Sequence, residues 1–324
     1  MFHALAVKSP KGPLEPFSYE PKPLAANEVE IQITHCGVCH SDVHLADGDW
    51  GDVFPLVPGH EIVGTIVQAG SDSDAKPGTR VGVGWQRGSC HRCEYCQTGQ
   101  ENLCAVQQAT CMGNFGGFAD RIRVDGAFAI PIPEQLKSEH VAPLLCGGAT
   151  VYSPLRQYAR SYMRVGVIGV GGLGHLAIQF ANKMGCEVTA ISTTKEKEAE
   201  AISFGAHHFV TSPKDAPPLD IVLNTASASI DYGKFLAALK PRGVFVQLGA
   251  DPNPIQVNAM KLMGGHTCLC GSAIASPRVI RELLDFAARH GIRAKVEVVP
   301  MREANAALER TRTNKARYRM VLEN

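Results

Sequence analysis

Two short segments near the N-terminus contain the residue types that bind a catalytic metal ion. Residues 37–44 read GVCHSDVH, and residues 58–61 read PGHE. A catalytic zinc takes three protein ligands and leaves one position for water or substrate, and two cysteines with one histidine form a known set. Cys39 and His60 are therefore two predicted ligands, and Cys146, which lies just before a nucleotide-binding pattern, is the candidate third ligand.

Neighbouring side chains can serve the metal and the proton that such chemistry moves. Glu61 can support a ligand from the outer coordination sphere, or approach the metal when water exchanges. Ser41 can accept the proton of an alcohol, and His44 can pass it to solvent. The simpler alternatives are a loop-capping hydroxyl and an exposed histidine. Asp42 either orients a ligand or caps the following helix, and His40 has no predicted role.

A second metal site is predicted from four cysteines with the spacing C-x2-C-x2-C-x7-C. They are Cys90, Cys93, Cys96 and Cys104. Four thiolates in a tight loop complete a tetrahedral zinc site and leave no open position, which is typical of structural zinc. An iron–sulfur cluster is the main alternative, because repeated C-x2-C also suits one. His91, between two of these cysteines, is predicted to be an exposed loop residue.

A glycine-rich loop, GVGGLG at residues 169–174, follows a predicted strand and begins a predicted helix. In this context the pattern G-x-G-x-x-G indicates a dinucleotide site. The glycines allow the tight turn, the approach of the pyrophosphate and close helix–strand packing, and the helix N-terminus attracts phosphate. The predicted cofactor contacts in this loop are Gly169, Gly171, Gly172, Leu173 and Gly174.

The end of the next strand distinguishes the two nicotinamide dinucleotides. An NAD site has Asp or Glu there to bind the ribose 2′-hydroxyl. Residues 192–197 read STTKEK, so Ser192 occupies the place of the acid, and hydroxyls and two lysines can bind a 2′-phosphate. The segment therefore predicts NADP(H). The alternative is a polar loop in which Thr194 caps the next helix.

Composition excludes several classes of protein. The net charge of +1 contains no long run of one sign, which argues against nucleic acid and anionic membrane as partners. No apolar stretch reaches about 18 residues, so no membrane-spanning helix is predicted. Eleven cysteines without an export signal predict reduced thiols and a cytoplasmic location.

The patterning of the 324 residues predicts two domains of an α/β protein. Short strands with proline and glycine turns fill about the first 130 residues, whereas strands and helices alternate from Arg164 onward, as in a doubly wound parallel sheet. The strands predicted there cover 165–168, 187–191, 221–223, 243–248 and 268–270. The helices predicted there and beyond cover 173–184, 195–204, 231–239, 254–263 and 277–290. The predicted domains are 1–148 with 274–324, mostly β, and 149–273.

Together these motifs, with LCGGATVYSP at 145–154, resemble the zinc-containing medium-chain alcohol dehydrogenases. They are most similar to the cinnamyl-alcohol-dehydrogenase branch and its bacterial aldehyde reductase relatives, over almost the whole chain. The resemblance implies a GroES-like catalytic domain, a Rossmann domain, and reversible oxidation of primary alcohols to aldehydes. It also implies a homodimer joined through the edge of the Rossmann sheets near residues 265–271, although that segment is unusual for a last Rossmann strand.

The resemblance assigns further residues. Those at the 2′-phosphate of NADPH are Ser192, Thr193 and Lys197. Trp50 and Trp85 fall where relatives line the substrate pocket. Arg319 falls near where relatives contact the pyrophosphate, with an ordinary surface arginine as the alternative.

The sequence therefore predicts an aldehyde reductase of broad specificity that uses NADP(H), two zinc ions per chain and a small alcohol or aldehyde as substrate. Two alternatives stay open. One is an NAD-dependent polyol or secondary-alcohol dehydrogenase, and the other is a non-catalytic nucleotide-binding or thiol redox-sensing protein. The sequence gives no physiological substrate, no preferred direction, and no role for Cys268 and Cys270.

Overall fold

The computed structural model describes residues 1–51 and 53–324, which form two compact units. The first unit contains Met1–Cys146 and Ile274–Asn324, and the second contains Gly147–Ala273. Cys146 is thus the last residue of the first segment and belongs to the same unit as the other candidate zinc ligands. Among the described residues, no helix is long and apolar enough to cross a membrane.

The N-terminal segment of the first unit is mostly β-structure with short helices. Its strands are β1 (Phe2–Val7), β2 (Leu14–Tyr19), β3 (Glu28–Val38), β4 (Ile62–Ala69), β5 (Arg80–Val83), β6 (Gln86–Gly88), β7 (Gln108–Ala109), β8 (Arg121–Asp125) and β9 (Ile130–Pro131). Its helices are α1 (His40–Asp47), α2 (Glu94–Gln97) and α3 (Ser138–Val141).

The second unit alternates helices and strands, and the chain then returns to the first unit. The second unit contains α4 (Gly147–Tyr158), β10 (Arg164–Ile168), α5 (Gly174–Lys183), β11 (Glu187–Ile191), α6 (Glu198–Ser203), β12 (His208–Val210), β13 (Leu219–Asn224), α7 (Tyr232–Leu236), β14 (Leu239–Gln247), α8 (Ala259–Gly265) and β15 (Cys268–Gly271). The returning segment contains α9 (Pro277–His290), β16 (Val296–Pro300), α10 (Ala304–Arg312) and β17 (Arg319–Glu323).

The main sheet of the first unit brings three chain segments together at one end. Its strand order is β16-β17-β3-β4-β5-β9, with β8 also paired to β3. The antiparallel register joins Cys36 to Ile62 and Met320 to Val38. The end of β3 and the starts of β4 and β17 therefore lie side by side, and the residues just outside them meet without any long loop.

The second unit confirms the predicted doubly wound sheet. Its six strands are all parallel, in the order β12-β11-β10-β13-β14-β15. Register aligns the carboxyl ends of the strands, so that Ile168 pairs with Asn224 and Asn224 with Gln247. The order reverses between β10 and β13, which is the place where such sheets bind dinucleotides.

Several predicted elements differ from the observed ones, among them the helix expected over 231–239, which ends at Leu236. The helix expected over 254–263 begins only at Ala259, because the side chain of Asn258 caps it by accepting a hydrogen bond from the Met260 amide at 2.9 Å. The helix expected over 195–204 is a 3₁₀ turn followed by α6, and the strand expected over 243–248 begins at Leu239. The unusual cysteine-containing segment does form the edge strand β15, since Leu269 packs onto the core of this unit.

Candidate metal and nucleotide sites

The predicted zinc ligands converge on one point in the first unit. The candidate ligand atoms of Cys39, His60, Glu61 and Cys146 all lie within 4.8 Å of one another, and all four residues are buried. Cys39 directly follows β3, and His60 directly precedes β4, so the antiparallel pairing of these strands brings them together. Cys146 reaches the same point from the 3₁₀ turn over 142–145.

The imidazole of His60 is oriented as a metal ligand requires. Its Nδ1 lies 3.0 Å from Oδ1 of Asp42, and both side chains are fully buried. A carboxylate can only accept, so Nδ1 carries the proton and Nε2 presents its lone pair. Nε2 is buried and has no hydrogen-bond partner among the residues that the structure describes. Since a buried polar atom without a partner costs free energy, this nitrogen and the two thiols fit a bound zinc ion.

Asp42 performs both of the roles that the sequence left open. At the third position of α1, its Oδ2 accepts a hydrogen bond from the Cys39 amide at 2.9 Å and completes a capping box. Its Oδ1 accepts from the Gly59 amide at 2.8 Å as well as from His60. One carboxylate therefore caps the helix and joins the two ligand-bearing segments.

Arg319 is buried beside the candidate metal ligands, so the alternative of a surface arginine is wrong. It is 4% exposed and forms an ion pair with Oε1 of the fully buried Glu61. Burial lowers the pKa of Arg319, but the nearby Glu61, Cys39 and Cys146 raise it above its ordinary value. Within residues 1–51 and 53–324, Oε2 of Glu61 has no hydrogen-bond partner. A Cβ at Gly37 would lie 2.0 Å from that oxygen, so the carboxylate requires a glycine there.

The surroundings of Cys39 lower the pKa of its thiol. A hydrogen bond with Cys146 is the largest cause that holds the pKa of Cys39 well below its usual range, and Arg319 and His60 add to it against the effect of burial. Cys39 is also the N-cap of α1, where the helix dipole favours a negative charge. A thiolate is the form that binds metal.

The predicted proton-transfer residues lie on α1, next to the candidate ligands. Oγ of Ser41 is 3.7 Å from Sγ of Cys39. Nδ1 of His44 is 2.8 Å from a carboxylate oxygen of Asp49, and its ring stacks on Trp50 with centroids 5.0 Å apart. His44 is therefore a fixed, partly buried side chain. No sequence signal pointed to Asp49, which follows the end of the helix.

Aromatic side chains and a further thiol surround the histidine ligand. The ring of Trp85 meets that of His60 edge to face, with centroids 4.9 Å apart, and Trp50 meets Trp85 at 6.2 Å. Sγ of the buried Cys111 lies 3.8 Å from Nδ1 of His60. Cys111 lies outside both cysteine patterns, so no sequence signal identifies it.

The four-cysteine loop has the geometry of a closed tetrahedral site. Sγ of Cys90 lies 3.6 Å from that of Cys104 and 3.9 Å from that of Cys96, and Cys93 lies 3.5 Å from Cys96. Zinc–sulfur bonds of about 2.3 Å give a tetrahedral edge of about 3.8 Å. Backbone N–H groups lower the pKa of Cys90 to about 6, which favours its thiolate. The thiols therefore fit a zinc ion.

His91 lies outside this thiol cluster. Its Nε2 is 2.6 Å from a carboxylate oxygen of Asp125, and its side chain is about half exposed. It therefore joins the cysteine loop to the end of β8.

The glycine loop of the second unit has the shape that a pyrophosphate needs. Gly169 turns with φ of 84°, and a Cβ at Gly174 would lie 1.8 Å from the Gly169 carbonyl oxygen, so helix and strand could not approach so closely with a side chain there. A Cβ at Gly171 would meet no atom within 4 Å, which leaves open space beside the loop. The N-terminus of α5 begins at this point.

The predicted 2′-phosphate residues follow β11. Nζ of Lys197 donates a hydrogen bond to the carbonyl oxygen of Val170 at 2.8 Å, so this lysine reaches the glycine loop. Ser192 and Thr193 directly follow β11, with the Ser192 amide bonded to Val210 at 3.2 Å. Thr194 precedes the next turn but makes no capping hydrogen bond with its side chain. Thr194 does occupy the N-cap position of that turn, as the alternative of a polar loop with a helix cap requires, and the 2′-phosphate assignment stays a prediction.

Comparison with known proteins identifies relatives along the whole chain. The family model of the alcohol dehydrogenase GroES-like domain matches residues 25–134, and that of the zinc-binding dehydrogenases matches residues 172–289. The aldehyde reductase AdhA of Synechocystis sp. is 39% identical over 331 residues, which cover 99% of this chain and 98% of that protein.

Solved structures of similar proteins have the same fold. A cinnamyl alcohol dehydrogenase of Sorghum bicolor matches with a TM-score of 0.95 and 38% identity, over 99% of this chain and 97% of that one. The cinnamyl alcohol dehydrogenase of Helicobacter pylori, solved as a complex with NADP(H), matches with a TM-score of 0.93 and 30% identity over the same shares.

Proposed function

Because this chain belongs to the zinc-containing alcohol dehydrogenase family, we propose that it is a zinc-dependent, NADP(H)-dependent aldehyde reductase of broad specificity. The observation that carries the proposal is the convergence of Cys39, Cys146 and the partnerless Nε2 of His60 on one buried point. The name of the Synechocystis relative and the NADP(H) bound to the Helicobacter pylori relative support the substrate class and the cofactor.

In this proposal Cys39, His60 and Cys146 hold one zinc ion, and the four-cysteine loop holds a second, structural one. The bound catalytic ion supplies a Lewis acid that polarises the substrate oxygen. Asp42 keeps the proton of His60 on Nδ1, so that Nε2 stays available to the metal. The positive charge of Arg319 offsets the negative charge that two thiolates and Glu61 concentrate in a buried space.

The net reaction consumes one aldehyde, one NADPH and one proton and yields a primary alcohol and NADP⁺. The nicotinamide supplies the hydride, and the chain supplies the proton. Ser41 would donate its hydroxyl proton to the carbonyl oxygen of the aldehyde as its carbon receives the hydride, and His44 would return a proton from solvent to Ser41. Asp49 accepts a hydrogen bond from Nδ1 of His44, which leaves Nε2 to exchange protons. Trp50 and Trp85 line the substrate pocket beside His60.

We also propose that the protein is a homodimer and that it is cytoplasmic. The exposed edge strand β15 offers unpaired backbone groups, and exposed Met260 and Met263 lie on the preceding helix, which supports a homodimer joined along this edge. The six thiols of the two candidate zinc sites must stay reduced to bind metal, which supports a cytoplasmic location.

Replacing Lys197 by alanine is expected to reduce the preference for NADPH over NADH by about tenfold to a hundredfold. The reason is the loss of a charge-assisted contact with the 2′-phosphate, worth about 1.5–3 kcal/mol. The measurement is the ratio of kcat/KM for the two cofactors with one aldehyde. Lys214→Ala is the matched control, since Lys214 lies in another 3₁₀ turn of the same unit, after β12.

An unchanged cofactor preference in Lys197→Ala would reject the assignment of the 2′-phosphate site. A wild-type preference for NADH, with faster turnover of polyols or secondary alcohols than of primary ones, would favour the alternative dehydrogenase class.

A further inference from the structure

A buried polar network connects the carboxyl ends of β13 and β14. Oε1 of Gln247 accepts hydrogen bonds from Nδ2 of Asn224 at 2.9 Å and from the hydroxyl of Tyr232 at 3.0 Å. Asn224 is fully buried and Tyr232 is 5% exposed. Polar groups buried to this degree usually hold a specific arrangement, because each loses its water only if it gains a partner.

Two of these residues, Asn224 and Gln247, also hold the backbone of the loops that follow the two strands. Oδ1 of Asn224 accepts from the Ala226 amide at 3.2 Å, and its carbonyl accepts from the amides of Leu248 and Gly249 at 3.0 Å. Nε2 of Gln247 donates to the Gly249 carbonyl at 2.7 Å. The network therefore sets the path of both loops.

The loop after β13 and the loop after β14 are in close backbone contact, so a shift of one loop would displace the other. A Cβ at Gly249 would lie 2.0 Å from the Ala226 carbonyl oxygen. Thr225 joins the loop after β13 to the end of β10, where the strand order reverses. Its hydroxyl is 2.7 Å from the Ile168 carbonyl oxygen and 3.0 Å from that of Gly169. The position of the glycine loop is thus tied to the loop after β13.

The strand order indicates which part of a dinucleotide meets these loops. The predicted 2′-phosphate residues follow β11 and the glycine loop follows β10, so the proposed function assigns the adenosine half and the pyrophosphate to that side of the sheet. The remaining half must extend across the reversal toward β13 and β14. A cavity of about 280 Å³ opens there, lined by Ser229 from the loop after β13, by Tyr232 at the start of α7, and by Asp251 and Gln256 from the loop after β14.

We propose that Asn224, Gln247 and Tyr232 are positioning residues for the nicotinamide half of the cofactor. They act through the backbone of the loops after β13 and β14 and leave binding of the adenosine half unaffected. This inference rests on the proposed function, because it assigns a role within its cofactor site.

The test is Gln247→Met in the zinc-loaded full chain, because methionine keeps the length of the side chain and removes the acceptor that Asn224 and Tyr232 share. Titrations measure the dissociation constants of NADPH and of adenosine 2′,5′-bisphosphate, which represents the adenosine half alone. We expect the constant for NADPH to rise about tenfold and that for the bisphosphate to change less than twofold. Tyr232→Phe, which removes one donor, should raise the NADPH constant about threefold with the same selectivity.

The matched control is Gln68→Met, at an exposed glutamine of β4. An NADPH constant that stays at the wild-type value in both network variants would overturn the proposal. An equal loss of both ligands would also overturn it, since the network would then only stabilise the unit. Titrations of the wild-type chain test the proposed function independently of this network. If the wild type binds NADH better than NADPH, the NADP(H) assignment of the proposed function fails. The network variants are then tested with NADH as the whole dinucleotide and ADP as its adenosine half.

Discussion

Cys146→Ala is expected to lower turnover by at least about a thousandfold, because the catalytic site loses one of its three protein ligands and with it several kcal/mol of transition-state stabilisation. Zinc content should fall from two ions per chain to one. The remaining ion should be in the four-cysteine loop, whose thiols are separate from this site. The dissociation constant for NADPH should change little, since the predicted cofactor residues lie in the other unit.

Cys186→Ala is the matched control, because Cys186 is also a buried thiol but lies outside both candidate metal groups. It should keep two zinc ions and near wild-type turnover. Substantial residual turnover in Cys146→Ala would reject Cys146 as an essential ligand. A wild-type chain with a single zinc, confined to the four-cysteine loop, would instead favour the non-catalytic alternative.

Asp42→Asn is expected to weaken zinc binding at the catalytic site by about tenfold to a hundredfold and to lower turnover by a similar factor. The carboxylate accepts hydrogen bonds from three donors, which are the amides of Cys39 and Gly59 and Nδ1 of His60. Asparagine offers one oxygen and turns its NH₂ toward at least one of these donors. His60 then loses the partner that keeps its proton on Nδ1. Competition with a chelator measures the affinity of each zinc site.

The control for this substitution is Asp72→Asn, which changes the same functional group at an exposed position. It should leave both zinc affinities unchanged. If Asp42→Asn lowered thermal stability but bound zinc as tightly as wild type, the helix cap would be its only role.

The candidate metal ligands could be chosen from the sequence because their chemistry is local, and their role as ligands stays a prediction. The cysteine spacing and the two N-terminal segments restrict the metal and its coordination, and the glycine loop is recognisable from the strand and helix beside it. The antiparallel pairing of β3 and β4 brings Cys39 close to His60. The period-two alternation of polar and apolar residues covers only 28–34, which predicts a strand that ends at Thr34. Pairing with β17 extends β3 to Val38, directly before Cys39.

The supporting residues could not be predicted because only tertiary contacts identify them. Arg319 lies 258 residues from Glu61, and the sequence allowed a surface position for it equally well. Cys111 and Asp49 belong to no spacing pattern, and the Asn224–Gln247 contact depends on the register of β13 and β14. The late start of α8 has a local cause, since the Asn258 cap overrides the apolar pattern that predicted a helix from Pro254.

The most direct test of the central claim is the rate of NADPH oxidation by the purified, zinc-loaded chain with a panel of aldehydes from short aliphatic to aromatic. The proposed function predicts aldehyde-dependent oxidation with one primary alcohol formed per NADPH, slower rates with NADH, and loss of activity when a chelator removes the catalytic zinc. Absence of aldehyde-dependent oxidation with either cofactor, in protein that contains two zinc ions per chain, would contradict it.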